Sequence, residues 1–482
     1  MEKSSRTLPT FCVQSLGCKV NQYEAEQIAA ALRRRGLVEV ADPSVAQLRV
    51  VHTCTVTVQA ASKSRQTTRR ATRLPVLDCS PTRLGDGVPP NGAPQATGAW
   101  DLQPDTAGRA RVVVTGCWAT SDPAEAAAIP GVDAVLTNQD DVRARLWSLV
   151  ERWMPLESDT SAARPSFAAS VALPILADRQ AGPQRAFLKI QDGCDAFCSY
   201  CIIPRIRPRL SSKSVEDCVI EARRLVEAGH VEIVLSGIFL GAYGQQTAIR
   251  KRQRSGATPL AALVEALCTR VPGLGRLRLS SLEPGDMTVE LIAVLRSHAQ
   301  VVPHFHLPLQ SGSDLILRRM NRQYRREDYL RMIDRVEGAF DRPAITTDII
   351  VGFPGETDRE FAQTLAVVDR ARFIHTHAFH FSPRPGTAAA RWRGDFVRGP
   401  VVNERMRMLT DRARAAGLAF RRQFVGQTVE VLVEKVEHPT HRHGRCERYF
   451  DVSFENPAAR AGDAVRVRIE RADEEHTWGI VL

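Results

Sequence analysis

The sequence predicts an α/β protein in three parts: an N-terminal parallel α/β domain, a central partial (β/α)6 barrel and a small C-terminal all-β barrel. Three observations predict it. Apolar strand-like runs alternate with helix-length runs from residue 11 to about residue 395. After about residue 423 the pattern changes to short alternating segments. And 482 residues exceed what one hydrophobic core usually serves.

The first domain spans 8–150. "FCVQSLGC" (11–18), "LRVVHTC" (48–54) and "ARVVVTGC" (110–117) read as strands. "EAEQIAAALRRRG" (24–36) has helical periodicity and a glycine stop, and "ASKSRQTTRRATR" (61–73) is a basic helix-like run. This β-α-β-α-β order is the signature of a parallel sheet. Residues 74–108, rich in Pro and Gly and containing Cys79, read as a surface loop or unstructured segment. Residues 151–184 read as an interdomain linker.

The second domain spans 185–395 and offers six strands: 186–191, 231–237, 276–281, 304–309, 345–353 and 375–381. Six β/α units fall short of the eight of a full barrel, so an open, partial barrel is expected. An Arg-rich helical connector (396–422) leads to a β-barrel over 423–482.

The chain is 44% hydrophobic and 25% charged, an ordinary balance for a globular protein. No apolar run reaches a membrane span and the start has no apolar signal segment, so a cytoplasmic protein with no membrane partner is expected. Eleven cysteines in a reducing compartment point to metal ligands rather than disulfides. The net charge of +11 suits a polyanionic partner such as nucleic acid. The excess lies in 62–73, 205–213, 318–326 and 391–422; the last 60 residues carry 8 Lys+Arg against 11 Asp+Glu.

Cys194, Cys198 and Cys201 follow the first barrel strand at the spacing C-x3-C-x2-C. Soft thiolates select iron–sulfur clusters and zinc. Three ligands leave one iron of a cube open, and an open position generally marks a catalytic metal. The competing reading is a zinc site completed by a distant His or Cys. Cys18, Cys54 and Cys117 each lie at the carboxyl end of a predicted parallel strand. Ligands bind at that edge of open α/β sheets, so the three can converge on one point. Any one of them alone reads as a small buried residue. Cys12, Cys218, Cys268 and Cys446 have no partner spacing and read as buried thiols.

The loop "QDGCDAFCSYCIIP" (191–204), with Tyr200 before its last cysteine, resembles the radical S-adenosylmethionine enzymes. "GCKVNQYEAE", "HTCTVTVQAASKSRQ", "VVVTGCWA", "SLEPGD", "HLPLQSGSDLILRRMNRQY", "DIIVGFPGET" and "FHFSPRPGT" are similar to the methylthiotransferases over nearly the whole chain, and the C-terminal barrel resembles a TRAM domain, a small RNA-binding module. The resemblance implies two [4Fe–4S] clusters: a radical cluster on Cys194, Cys198 and Cys201 and an auxiliary one on Cys18, Cys54 and Cys117. It also implies S-adenosylmethionine as methyl donor and as source of a 5′-deoxyadenosyl radical, together replacing C–H by C–S–CH3. Tyr200, Gly237, Ser281, Glu283, Gln310 and Ser311 resemble positions that contact S-adenosylmethionine; a turn at Gly237 and surface-loop roles for Ser281, Glu283, Gln310 and Ser311 are the plainer readings. No residue is expected to act as a protein acid or base.

"TCTVT" and "GCKVNQYE" look most like the branch acting on threonylcarbamoyladenosine in tRNA. That implies the anticodon stem-loop as partner, with a reducing electron donor and a sulfur source. Alternatives are isopentenyladenosine in tRNA, a ribosomal protein, or an RNA-binding iron–sulfur sensor without catalysis. His52 stands where the family usually has Asn, the 74–108 insert is unusual, and the C-terminal barrel is net acidic. His304, His306, His375, His377 and His380 alternate as on strands and read as polar lining, core histidines or a zinc site.

Overall fold

The computed structural model describes residues 8–77, 109–154, 185–253, 258–435 and 440–482. Most of the 74–108 insert, Cys79 and most of the 151–184 linker lie outside them. The chain divides into two units, 1–168 and 169–482.

The first unit contains β1 (Thr10–Ser15), α1 (Lys19–Arg33), β2 (Val38–Glu39), β3 (Leu48–Thr53), α2 (Val58–Arg73), β4 (Arg111–Gly116), α3 (Cys117–Ser121), α4 (Pro123–Ala127), β5 (Ala134–Leu136) and α5 (Val142–Trp153). Its sheet is parallel, in the order β2-β1-β3-β4-β5. The sequence showed three of these strands; β2 and β5 are edge strands of two and three residues, too short to carry a period. Every residue of the central β3 is buried, as in a strand covered on both faces. That includes Arg49, whose guanidinium donates to the carbonyls of Pro43, Ala71, Leu74 and Pro75 at 2.6–2.7 Å. Those bonds offset its desolvation and cap the negative end of α2.

The second unit begins with β6 (Arg185–Asp192), α6 (Ile203–Ile206), β7 (Ser211–Ser212), α7 (Val215–Glu227), β8 (Glu232–Gly237), α8 (Pro259–Arg270), β9 (Arg276–Leu279), α9 (Val289–Ser297) and β10 (His304–His306). It continues with α10 (Asp314–Arg319), α11 (Arg326–Ala339), β11 (Ala344–Val351), α12 (Asp358–Ala371), β12 (His375–His380) and α13 (Gly399–Arg422). Sheets β7-β6-β8-β9 and β10-β11-β12 are joined through Leu277 and Val301. Six strands run parallel; β6 pairs on its outer side with the short antiparallel β7, and no pairing of β12 with β6 occurs among the described residues. The barrel is therefore open, as six β/α units predict.

β13 (Thr428–Lys435), β14 (His441–Cys446), β15 (Asp451–Glu455), β16 (Ala464–Ala472) and β17 (Thr477–Val481) close a five-stranded barrel in the order β13-β14-β15-β17-β16. It docks on the amino ends of the parallel strands. Arg276, the first residue of β9, donates to the Glu430 carbonyl at 2.6 Å and its carboxylate at 2.8 Å. The Tyr449 ring stacks on His304, the first residue of β10, at 4.2 Å, with the Arg278 and Arg445 guanidinium groups 4.9 and 4.4 Å from its centroid. The opposite, carboxyl rim is left to the cysteine loop.

Candidate active site

In the first unit, three strand ends bring three cysteines to one side chain. Cys18 is the N-cap of α1, Cys54 follows β3, and Cys117 opens α3 directly after β4. Asn21, one turn into α1 and 1% exposed, lies among them. Its Nδ2 donates to the carbonyls of Leu16 (2.7 Å) and Thr53 (2.9 Å). Two carbonyl acceptors fix which end of the amide is nitrogen. The Oδ1 therefore faces the sulfurs, 3.8 Å from both Cys18 Sγ and Cys117 Sγ. Cys54 completes the group through Gly17, whose φ is +104° and where a Cβ would lie 2.7 Å from Cys54 Sγ and 3.1 Å from Asn21 Nδ2. Only glycine allows that approach. Ser64 on α2 holds the Cys54 backbone from both sides, accepting from its N–H (3.0 Å) and donating to its carbonyl (2.8 Å). His52 is buried beside this group and faces Glu24, one turn beyond Asn21, with Nε2 3.3 Å from the carboxylate. Further along α2, Gln66, Arg69, Arg70, Arg73 and Leu74 line a surface hollow of about 390 Å³.

In the second unit, Cys194, Cys198 and Cys201 share the loop after β6. Gly193 opens it at φ +79°, where a Cβ would strike the Arg209 carbonyl at 1.9 Å. The loop is fastened to residues 319–321. Ser199 donates its N–H to the Met320 carbonyl (3.0 Å) and its hydroxyl to the Arg319 carbonyl (2.7 Å), and Asn321 donates to the carbonyls of Ala196 (3.2 Å) and Phe197 (3.0 Å). Arg322 then reaches the thiols. Its Nη1 lies 3.2 Å from Cys198 Sγ and 3.5 Å from the Tyr200 hydroxyl, and its Nη2 donates to Glu283. Burial is the largest influence and opposes the charge on Arg322, but Glu283 together with Tyr324, Tyr200 and Cys198 outweighs it and holds the guanidinium well above its ordinary value.

The anticipated cofactor contacts fall in four places: the cysteine loop, the end of β8, and the segments after β9 and β10. Gly237 ends β8, where a Cβ would lie 3.1 Å from the Gln191 side chain; that side chain accepts from Phe239 N–H (2.8 Å) and donates to the Gly193 carbonyl (2.7 Å), tying the two loops together. Glu283 accepts from Arg322 and, at 3.4 Å, from Arg250, which also holds Asp286 at 2.8 Å. Tyr200 packs edge-on to Phe353 at 6.3 Å. Gln310 takes a left-handed φ of +63° and bridges to β11. Ser281 is exposed, and Ser311 is fully buried, its hydroxyl 3.4 Å from that of Thr364. Asn21, Gln191, Arg250 and Arg322 were missed from sequence. The signals were present in "GCKVN", one helical turn after a cysteine, and in the basic run "RRMNRQ".

Burial pushes the Cys194 and Cys201 thiols up to about 12. It does the same to Cys218 and Cys268, and pushes Cys12 up to about 11. Thiol acidity does not separate candidate ligands from core cysteines; convergence does. Three soft donors on one loop, with a guanidinium beside one of them to balance negative charge, fit a cube that keeps one iron open. Several arginines of the α13 region are engaged internally: Arg405 with Glu356 (2.9 Å) and Asp358 (2.8 Å), Arg412 with Asp369, and Arg421 with Thr477 (2.9 Å). Among the described residues no helix is long and apolar enough to cross a membrane.

Comparison with known proteins agrees with this architecture. Residues 188–368 match the radical SAM superfamily, 10–83 the uncharacterized protein family UPF0004, and 422–479 the TRAM domain. The chain is 34% identical to the threonylcarbamoyladenosine tRNA methylthiotransferase MtaB of Bacillus subtilis (98% of this chain, 96% of that one). It is also 34% identical to MtaB of Chlamydia pneumoniae (98% of each). It is 33% identical to the tRNA-2-methylthio-N(6)-dimethylallyladenosine synthase of Erythrobacter litoralis (100% and 99%). Among solved structures, the radical S-adenosylmethionine methyltransferase TsrM of Kitasatospora setae shares the fold at TM-score 0.54 and 14% identity, over 91% of this chain and 81% of that one. The superfamily implies a [4Fe–4S] cluster and S-adenosylmethionine, and the relatives' names with the TRAM domain imply a tRNA substrate. The chain belongs to the radical S-adenosylmethionine tRNA methylthiotransferases.

Proposed function

We propose that this enzyme converts N6-threonylcarbamoyladenosine at position 37, beside the anticodon, to its 2-methylthio derivative. Cys194, Cys198 and Cys201 hold the radical cluster, and Cys18, Cys54 and Cys117 hold an auxiliary [4Fe–4S] cluster. The observation that carries the two-cluster reading is the second thiol triad, three strand ends gathered around Asn21. Radical cleavage alone has no use for it; insertion of sulfur does. When bound, the clusters and S-adenosylmethionine supply one-electron cleavage of the sulfonium, the methyl group and the site of sulfur transfer.

The protein's own residues bind and orient. Arg322 places positive charge against the Cys198 thiolate. Gln191 locks the cysteine loop to the turn after β8, where Gly237 leaves room for the methionyl end of S-adenosylmethionine. Glu283 accepts from both Arg322 and Arg250, and the Arg250 guanidinium lies 5.7 Å from the centre of the Phe239 ring in that turn. The arginine-lined hollow on α2 suits phosphates of the anticodon stem-loop, whose unpaired bases a protein can splay out and read. This reading requires a low-potential electron donor and a cytoplasmic location with the tRNA.

The threonylcarbamoyl branch is supported by "TCTVT" and "GCKVNQYE" and by the names of the Bacillus and Chlamydia relatives. The dimethylallyl branch is a second reading, supported by the Erythrobacter relative. The test is anaerobic reaction of the reconstituted enzyme, dithionite and S-adenosylmethionine with stem-loops carrying either base. Gain of a methylthio group on the threonylcarbamoyl RNA alone supports the proposal; gain on the dimethylallyl RNA alone overturns the branch.

A further inference from the structure

Three neighbouring strands of the open barrel present two imidazoles and one carboxylate on a single face. On β11, Ile345, Thr347, Ile349 and Val351 are buried, and the isoleucines and the valine belong to the main core. The alternate residues, Thr346 and Asp348, therefore face the barrel interior. The strand register sets His306 of β10 opposite Thr346 and His377 of β12 opposite Asp348. His306 Nε2 lies 3.2 Å from Asp348 Oδ2, and one ligand atom from each of His306, Asp348 and His377 lies within 4.8 Å of the other two. Tetrahedral bonds of 2.0–2.1 Å require ligand atoms about 3.4 Å apart, a change that side-chain rotation supplies.

The surroundings of His306 match those of a metal-bound imidazole. A ligating histidine uses its second ring nitrogen to bond a fixed neighbour, which sets tautomer and ring orientation. His306 Nδ1 lies 2.9 Å from Thr346 Oγ1, and the same hydroxyl lies 3.2 Å from His304 Nε2. Without an ion, His306 Nε2–H can donate to Asp348; with one bound, the chain His306 Nδ1–H to Thr346 Oγ1, then Thr346 O–H to His304 Nε2, holds the other tautomer and frees His306 Nε2 to ligate beside Asp348. Access is open: the His306 and Asp348 side chains are 15% and 27% exposed, and His377 lies on the exposed edge strand.

We propose that His306, Asp348 and His377 form a mononuclear divalent-metal site, built from none of the six candidate cluster cysteines. Two imidazoles and one carboxylate suit a first-row ion such as Zn2+, and three protein ligands leave a coordination position open on the barrel's interior. The site stands on the barrel face alone and does not depend on which adenosine is the substrate.

The probe is Zn2+, added anaerobically to full-length protein whose clusters have been reconstituted, so that the cysteines are occupied. Metal is counted by mass spectrometry after desalting, and the zinc shell is read by X-ray absorption. The expected result is one retained Zn2+ per chain, with a nitrogen/oxygen shell that includes two imidazoles. Retention falls at least tenfold in His306→Ala, His377→Ala and Asp348→Asn, with iron content unchanged. Asp348→Asn keeps the side chain's size and guards against a folding effect. A sulfur-containing shell, equal retention in the three variants, or no retained zinc in the loaded wild-type protein would overturn the site.

Discussion

Replacing Arg322 by Met tests how the protein tunes its cysteine loop. The substitution keeps the volume and removes the charge. Arg322 and Glu283 have side chains only 7% and 11% exposed. Breaking a buried pair by removing one partner typically costs about 3–5 kcal/mol, because the other charge is left uncompensated. Here Glu283 keeps Arg250 at 3.4 Å, although Arg250 is shared with Asp286. The low end, about 3 kcal/mol, is therefore expected, and at roughly 2 °C per kcal/mol for a large domain Tm falls by about 6 °C. The same guanidinium sits 3.2 Å from Cys198 Sγ. A full unit charge there is worth about 4 kcal/mol at an effective dielectric constant of 20. Glu283 cancels most of it, leaving about 1 kcal/mol, or ~40 mV for one electron. Losing positive charge disfavours the reduced cluster, so the potential becomes more negative. The assays are thermal unfolding and an EPR-monitored redox titration of Arg322→Met beside Arg322→Lys. The reasoning fails if Arg322→Met melts with the wild type, or if its potential is unchanged or rises.

Gly17→Ala puts a Cβ 2.7 Å from Cys54 Sγ at a positive φ, which alone costs about 1–2 kcal/mol; anaerobic iron and sulfide analysis should show about four iron per chain lost and about four kept. Asn21→Asp turns a carboxylate toward the Leu16 and Thr53 carbonyls, and the same measurement should again show loss of the auxiliary cluster, while Cys12→Ala should not change iron content. Burial is the largest influence and opposes the Glu232 charge, but Arg278, bonded at 2.7 and 3.0 Å, together with Arg185 and Arg276 outweighs it and lowers the carboxyl below its ordinary value. The resulting stability is present above the unfolded pKa of about 4.3 and is lost as pH falls through the lower folded value. Glu232→Gln should therefore flatten the acid limb of a Tm-against-pH curve and cost about 3 kcal/mol at pH 7, most of which Arg278→Met in the same chain restores.

Legibility followed the kind of signal each element carries. β1, β3 and β4 are apolar because parallel strands are covered on both faces, and their cysteines could be placed at one sheet edge from sequence. β14 could not be read: its inward residues are Arg442, Gly444 and Cys446, and Arg442 is buried on the carbonyls of Ala459 (2.7 Å) and Pro457 (2.5 Å). Hydropathy assigns such an arginine to solvent. Asn21 and Arg322 escaped for a related reason. Each is polar, and each lies beside a sulfur from a distant part of the chain, Cys117 for Asn21 and Cys198 for Arg322, that only the folded backbone brings near. The arginines of 391–422 count toward the basic excess that suits a polyanionic partner, yet Arg405, Arg412 and Arg421 are tied to neighbouring elements.

The central claim is methylthiolation of threonylcarbamoyladenosine, and nucleoside mass spectrometry of tRNA from cells lacking this gene tests it most directly. The account predicts that 2-methylthio-threonylcarbamoyladenosine disappears, that its unthiolated precursor accumulates, and that the wild-type gene, but not Cys18→Ala, Cys54→Ala or Cys117→Ala, restores it. Persistence of the methylthio nucleoside in the deletion strain would contradict it.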